Sequence, residues 1–204
     1  MPDQAEDRIG EGIAEFSRIA SLLHRMGFGE SSFGNISLLF KGSLPSGDGR
    51  EFGLPWEYPD LEGSLLLLTR SGSTMSETAD RPEENVGVYA IHGSKAILVR
   101  GVGPPSSELL AHLEVHAKLR LPMSAVVHCH VGKMLQVLEG TDPLPGWIRS
   151  IPRLRPESKA LARATGEAAD MDVIIIWSGH GIVAVSGTLS NAFSLIERTA
   201  SSYR

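Results

Sequence analysis

In the segment VVHCHVG, Val126 to Gly132, two histidines stand one residue apart within an apolar run. Side chains alternate faces along a β-strand, so His128 and His130 are expected to point the same way, with Cys129 on the opposite face. Two neutral imidazoles converging on one point suit a divalent metal ion; a pair of hydrogen-bonded core histidines would look the same in sequence. A catalytic zinc usually takes three protein ligands and leaves one position open, so the pair needs a third partner. WSGHGIV supplies His180, set between two glycines at the junction of two expected strands. Those glycines let the backbone turn sharply and leave room beside the ring. The alternative for His180 is a surface turn residue.

The other histidines compete for the same role. His112 and His116 stand four apart on one helix face, but HLEVH lacks the Glu placement of the zinc-protease helix, so they read as structural or supporting groups, with His112 expected nearer the site. His24 and His92 have no companions. Cys129 reads as a small buried hydrophobe. Glu108, just after PPSS at an expected helix start, has two readings. It can complement the helix dipole, or it can act as a general base beside a metal that polarises a substrate carbonyl and stabilises enediolate charge.

Three short segments share another chemistry: GNIS at 34–37, SGS at 71–73 and PSS at 105–107. Each offers small side chains, hydroxyl or amide donors and accessible backbone N–H groups, the makings of a phosphate or carboxylate cradle. Turns need the same residue types. Only alongside the histidines do these segments suggest an anionic substrate.

These groups must be carried by ordered elements. Ile9, Ile13, Phe16, Ile19, Leu23 and Met26 recur at helical spacing and predict an amphipathic helix that Gly27 and Gly29 would end. NISLLF at 35–40 reads as a strand, and Lys41 to Gly63 as a long excursion or hairpin. Further strands are expected at 64–69, 87–91 and 95–100, then a helix starting near Ser106 or Ser107 and ending before Pro122. After the histidine strand come a short helix through KMLQVLE, a loop marked by Pro143, Pro145, Pro152 and Pro156, and a helix through ESKALARATGEAA. DVIIIW and HGIVAVSG read as strands and LSNAFSLIERTASSY as the closing helix. Strands joined by both short turns and helices predict an α/β fold, a mixed sheet between two helical layers. No repeat or composition shift divides the chain, so 1–204 is expected to be one domain.

The bulk properties exclude several partners. A net charge of −5 gives no general reason to expect nucleic-acid or anionic-membrane binding. The longest apolar runs, LLLL at 65–68 and VIIIW at 173–177, are too short to span a bilayer. A single cysteine excludes an internal disulfide framework. The acidic start, MPDQAEDRIG, lacks the features of an export signal, and a cytoplasmic location is expected. Arg149, Arg153, Arg155, Lys159 and Arg163 concentrate positive charge in one stretch, read as a solvated face in preference to a steering patch.

Taken in order, GNIS, SGS, PSSE, VVHCH and GHG resemble the class II aldolase/adducin family, across most of the chain. The resemblance implies a three-layer α/β/α fold with a mixed, largely antiparallel central sheet, a zinc site and a cyclic homotetramer. It implies that His128, His130 and His180 are the metal ligands and Glu108 the acid/base group, which can also ligate the resting metal. It places Asn35, Ser71, Gly72, Ser106 and Ser107 at the substrate phosphate, and His112 at a histidine often found one turn after that Glu. The excursion at 41–63 and the shorter interval between His130 and His180 depart from fuculose-phosphate aldolase. The chain stops at Arg204, so the tail that brings a catalytic tyrosine in some aldolases is not expected here, and Tyr203 is given no such role.

The activity implied is a Zn2+-dependent aldolase acting on a small phosphorylated ketose or related hydroxy-carbonyl compound through a metal-stabilised enediolate. A dehydratase or epimerase using the same constellation, or a non-catalytic adducin-like scaffold, are the alternatives.

Overall fold

The computed structural model describes residues 2–28, 34–42 and 49–203. Gly29 and the 43–48 part of the excursion lie outside the described residues.

The first helix, α1 (Pro2–Arg25), buries the expected stripe: Ile9, Phe16, Ile19 and Leu23 have no exposed area and Ile13 has 4%. It starts earlier than Ile9 because Ala5 continues the same stripe one turn back. Gly27, at φ 73°, closes it in the left-handed conformation glycine adopts without strain.

Nine strands are described: β1 (Asn35–Lys41), β2 (Glu51–Gly53), β3 (Ser64–Thr69), β4 (Val86–His92), β5 (Lys95–Arg100), β6 (Met123–Cys129), β7 (Ile148–Ile151), β8 (Val173–Trp177) and β9 (Gly181–Ser186). They form one sheet in the order β2-β5-β4-β3-β1-β6-β9-β8-β7. Every neighbouring pair is antiparallel except β7 with β8, so the sheet is mixed and largely antiparallel, as expected.

Helices cover both faces. One core joins α1 and α7 (Leu189–Ser202) to Ala125, Val127 and Cys129 of β6. On the other face α4 (Leu109–Leu119) and α6 (Lys159–Ala168) pack on Val126, Ile175, Val183 and Val185. The histidine strand is central, with an apolar layer on each side. Alternation therefore sends Cys129 to the α1 side and His128 to the α4 side.

Several elements differ from expectation. β7 lies within what reads as a proline-marked loop; it is four residues long and exists by parallel pairing with β8, a partner local pattern cannot reveal. Two short helices, α2 (Met75–Asp80) and α3 (Pro82–Asn85), follow SGS. Thr74 and Glu77 form a capping box ahead of α2, a signal present in the sequence. α4 begins at Leu109, not at Ser106 or Ser107. The serines are held back because Ser106 N donates to Thr69 O and Arg70 bridges to Pro105, tying this segment to the end of β3. The remaining short helix is α5 (Lys133–Glu139), as expected.

Candidate active site

Three strand ends meet where the histidines lie. His128 sits in β6 directly opposite Asn35 of β1, His130 follows the end of β6, and His180 occupies the turn between β8 and β9. One ligand atom from each ring lies within 4.8 Å of the other two. Ring centroids are 5.0 Å apart for His128 and His130, 5.1 Å for His128 and His180, and 4.7 Å for His130 and His180.

His128 shows what the cluster is built to hold. Its Nδ1–H donates to the Ile182 carbonyl at 3.0 Å, which leaves Nε2 as a bare acceptor. That Nε2 is buried and has no hydrogen-bond partner among the described residues. An orphaned buried lone pair is costly unless an electrophile takes it. Burial depresses the pKa of His128 and brings His130 to about 4, so both are in the neutral, ligating form at neutral pH. Three converging imidazoles fit a divalent cation of zinc type, with room left for a further ligand.

The turn that carries His180 is fixed from three sides. Gly179 takes φ 69°, and its N–H donates to Glu139 Oε1 at 2.6 Å. His180 N donates to Trp177 O at 2.9 Å. A Cβ on Gly181 would stand 2.6 Å from the Cys129 carbonyl oxygen and 2.9 Å from His128 Cε1, so only glycine lets the two ligand-bearing segments approach. Trp177 supplies a floor, its ring 4.5 Å from that of His128 and 5.3 Å from that of His180.

Glu108 is the N-cap residue of α4, yet its side chain makes no capping hydrogen bond. Its carboxylate points into the cluster. Asn35 Nδ2 donates to Oε2 at 2.8 Å, His128 Nε2 lies 3.5 Å from Oε2, and His180 Nε2 lies 3.3 Å from Oε1. Burial pushes its pKa up, while hydrogen bonds from His180 and Asn35 to the charged carboxylate pull it below the ordinary carboxylate range. An ionised carboxylate beside three imidazoles can ligate a cation or move a proton.

A cavity of about 530 Å³ opens beside these groups. Asn35, Ser71, Gly72, Ser106, Ser107, Glu108, His130 and His180 all line it, so the residues singled out in the three small-residue segments converge. Not all their donors are free. Ser71 N is bonded to Pro104 O and Ser106 N to Thr69 O. Both ends of the Asn35 amide are engaged, Nδ2 by Glu108 and Oδ1 by His112 Nε2. Arg70, which sequence reasoning missed, also lines the cavity; its Nε donates to Glu84 O at 2.9 Å.

His112 does approach the site, through Asn35. In the basic stretch Arg153, Arg155, Lys159 and Arg163 are exposed and Arg149 pairs with Asp170 at 2.7 Å; Arg153 lies against Gly179 beside His180, and Lys159 and Arg163 lie over the Trp56 ring. His24 and His92 lie exposed away from the cluster, and Cys129 is a fully buried thiol whose pKa burial raises. Ser37, read with GNIS as part of an anion cradle, does not line the cavity but lies buried against His112 and His116, and Ser124 was missed. Both are fully buried polar residues at inward positions of otherwise apolar strands, and that break in pattern was the available signal.

The structure is a three-layer α/β/α fold with a histidine cluster that could hold a metal ion and a buried glutamate at converging strand ends. The family model for the Class II Aldolase and Adducin N-terminal domain matches residues 14–204, and the chain belongs to that family. The rhamnulose-1-phosphate aldolase of Listeria monocytogenes serotype 4a (strain HCC23) is 29% identical over 218 residues, covering 91% of this chain and 80% of the relative. Among solved structures, a sugar-phosphate aldolase from Thermotoga maritima superposes with TM-score 0.81 at 22% identity, covering 96% of this chain and 93% of that one. L-fuculose-1-phosphate aldolase from Thermus thermophilus gives 0.61 at 20%, with coverage of 94% and 91%. The structural likenesses establish the fold.

Proposed function

We propose that this chain is a zinc-dependent aldolase that cleaves a carbon–carbon bond in a small phosphorylated ketose. The observation that carries this reading is the convergence of His128, His130 and His180, ligand atoms within 4.8 Å, beside the buried carboxylate of Glu108. A divalent cation held by the three imidazoles supplies a Lewis acid for the charge that develops on the substrate oxygens. His128 and His130 present neutral nitrogens, and Glu139 and Gly181 fix the turn that brings His180 to them.

Glu108, ionised and held by Asn35, is the group that removes or returns a proton at the reacting carbon. The wall formed by Ser71, Gly72, Ser106 and Ser107 takes the phosphate, with Asn35 linking it to Glu108 and the Arg70 guanidinium as the cation in the cavity lining. The aldolase names of the relatives, which act on rhamnulose 1-phosphate and fuculose 1-phosphate, support a 1-phosphorylated ketose as substrate. A homotetramer in the cytoplasm completes the reading. Light scattering on the purified protein reports the subunit number.

The test is a panel of phosphorylated and unphosphorylated ketoses incubated with the zinc-loaded protein, with products identified by mass spectrometry. Release of two carbonyl fragments from a phosphorylated ketose is the expected outcome. An intact carbon skeleton with water lost or a centre inverted replaces cleavage by dehydration or epimerisation. Absence of bound divalent metal leaves the scaffold reading.

A further inference from the structure

A line of buried polar side chains runs from Glu108 into the apolar layer between the sheet and α4. Glu108, His112 and His116 fall at four-residue steps, one stripe of the helix face turned to the sheet. Asn35 and Ser37 alternate inward from β1, and Ser124 from β6. Ser37 and Ser124 have no exposed area, His112 and His116 have 1%, and Asn35 has 6%.

The hydrogen bonds form one unbranched path. Asn35 Nδ2 meets Glu108 Oε2 at 2.8 Å, and Asn35 Oδ1 meets His112 Nε2. His112 Nδ1 meets Ser37 Oγ at 2.6 Å, Ser37 Oγ meets His116 Nε2 at 2.8 Å, and His116 Nδ1 meets Ser124 Oγ at 2.6 Å. Burial holds both imidazoles neutral, His112 at about 3 and His116 well below its usual range, so each carries a single N–H.

Donor and acceptor roles then follow from the carboxylate outward. An ionised carboxylate only accepts, so Asn35 must present its NH2 to Glu108 and its carbonyl to His112. His112 must therefore donate from Nε2 and accept at Nδ1. Ser37 gives its O–H to His112 and accepts from His116 Nε2–H, which leaves His116 Nδ1 to accept from Ser124. Reversing the path would turn the Asn35 carbonyl onto the carboxylate, acceptor against acceptor. An Asn amide alone is nearly degenerate between its two orientations; here the path breaks the degeneracy.

We propose that His112, Ser37, His116 and Ser124 form a one-way hydrogen-bond path that locks the Asn35 amide and so positions Glu108 against the metal-ligand cluster. His112 is the positioning residue through which the path acts. The effect on turnover rests on the proposed role of Glu108; the direction of the path does not.

Nitrogen NMR of the histidine-labelled, zinc-loaded protein tests the direction. His112 and His116, assigned with His112→Gln and His116→Gln, should both show protonated Nε2 and bare Nδ1 at neutral pH. Protonated Nδ1 on either ring, or an imidazolium, overturns the proposal whether or not any ketose is cleaved. The Asn35 side-chain amide protons should be protected from exchange and lose that protection in His112→Leu; unchanged protection overturns it too. In turnover, His112→Leu should lower kcat about 10–100-fold with KM and zinc content little changed. His112→Gln, whose Nε2–H can still reach Asn35, should recover most of the loss. Equal kcat in wild type and His112→Leu removes the positioning role. Failure of every ketose to react, with both tautomers as stated, sinks the aldolase reading and leaves the path standing.

Discussion

Nε2 of His128 lies 3.5 Å from Oε2 of Glu108, beyond hydrogen-bonding distance, and has no partner among the described residues. The other nitrogen of the same ring is satisfied by the Ile182 carbonyl. A ring held by one nitrogen with the other aimed, bare, at two more imidazoles and a carboxylate is arranged for an electrophile.

Zinc content follows from that arrangement. His128→Ala and His130→Ala should each take bound zinc from near-stoichiometric to near zero, measured by elemental analysis after dialysis against a low-affinity chelator. Turnover should fall with the metal. Full zinc retention in both variants would dissociate these imidazoles from metal binding.

Glu108→Gln keeps shape and the contact with Asn35 while removing the charge. Turnover should drop by about 10²–10⁴-fold, with zinc retained through the three histidines. Rate constants within about threefold of wild type would take the acid/base role, worth far more than that, from Glu108.

Stability should depend on pH through the buried histidines. In the unfolded chain histidine titrates near pH 6.5, whereas in the fold burial depresses His112 to about 3 and His116 well below its usual value. Below about pH 6.5 the unfolded state therefore takes up protons that the folded state refuses. Stability is fully present above that pH and falls as pH drops, by about 1.4 kcal/mol per pH unit for each ring until the folded pKa is approached. Urea midpoints of the metal-free protein between about pH 7 and pH 5 measure it; a flat profile would mean that these rings are solvated or already charged.

Gly181→Ala places a methyl group 2.6 Å from the Cys129 carbonyl oxygen and 2.9 Å from His128 Cε1. Backbone must move to admit it, at a cost of about 1–3 kcal/mol. Weaker zinc binding should accompany the lower thermal midpoint. Zinc affinity equal to wild type would show that the β8–β9 turn can shift without disturbing the ligands.

The sequence by itself determined the elements with strong local pattern and the histidines that could hold a metal ion. The stripe in α1 is legible because a 3.6-residue period leaves one face to the core, and HCH is legible because strand alternation puts His128 and His130 together. The glycines around His180 marked a sharp turn, and PSSE marked a helix start to within three residues.

Only the tertiary structure decided what those groups touch. β7 is a strand because β8 lies beside it, and Ser106 stays outside α4 because β3 holds its N–H. Glu108 could have served its own helix; the turn carrying His180 and the amide of Asn35 draw it inward instead. Ser37 of β1, Ser124 of β6 and the His112–His116 pair of α4 come from three separate segments, and nothing local says that they share one path. Hydrogen-bond direction and metal geometry depend on distances of a few ångströms between residues far apart along the chain, and packing of the sheet against α4 sets those distances.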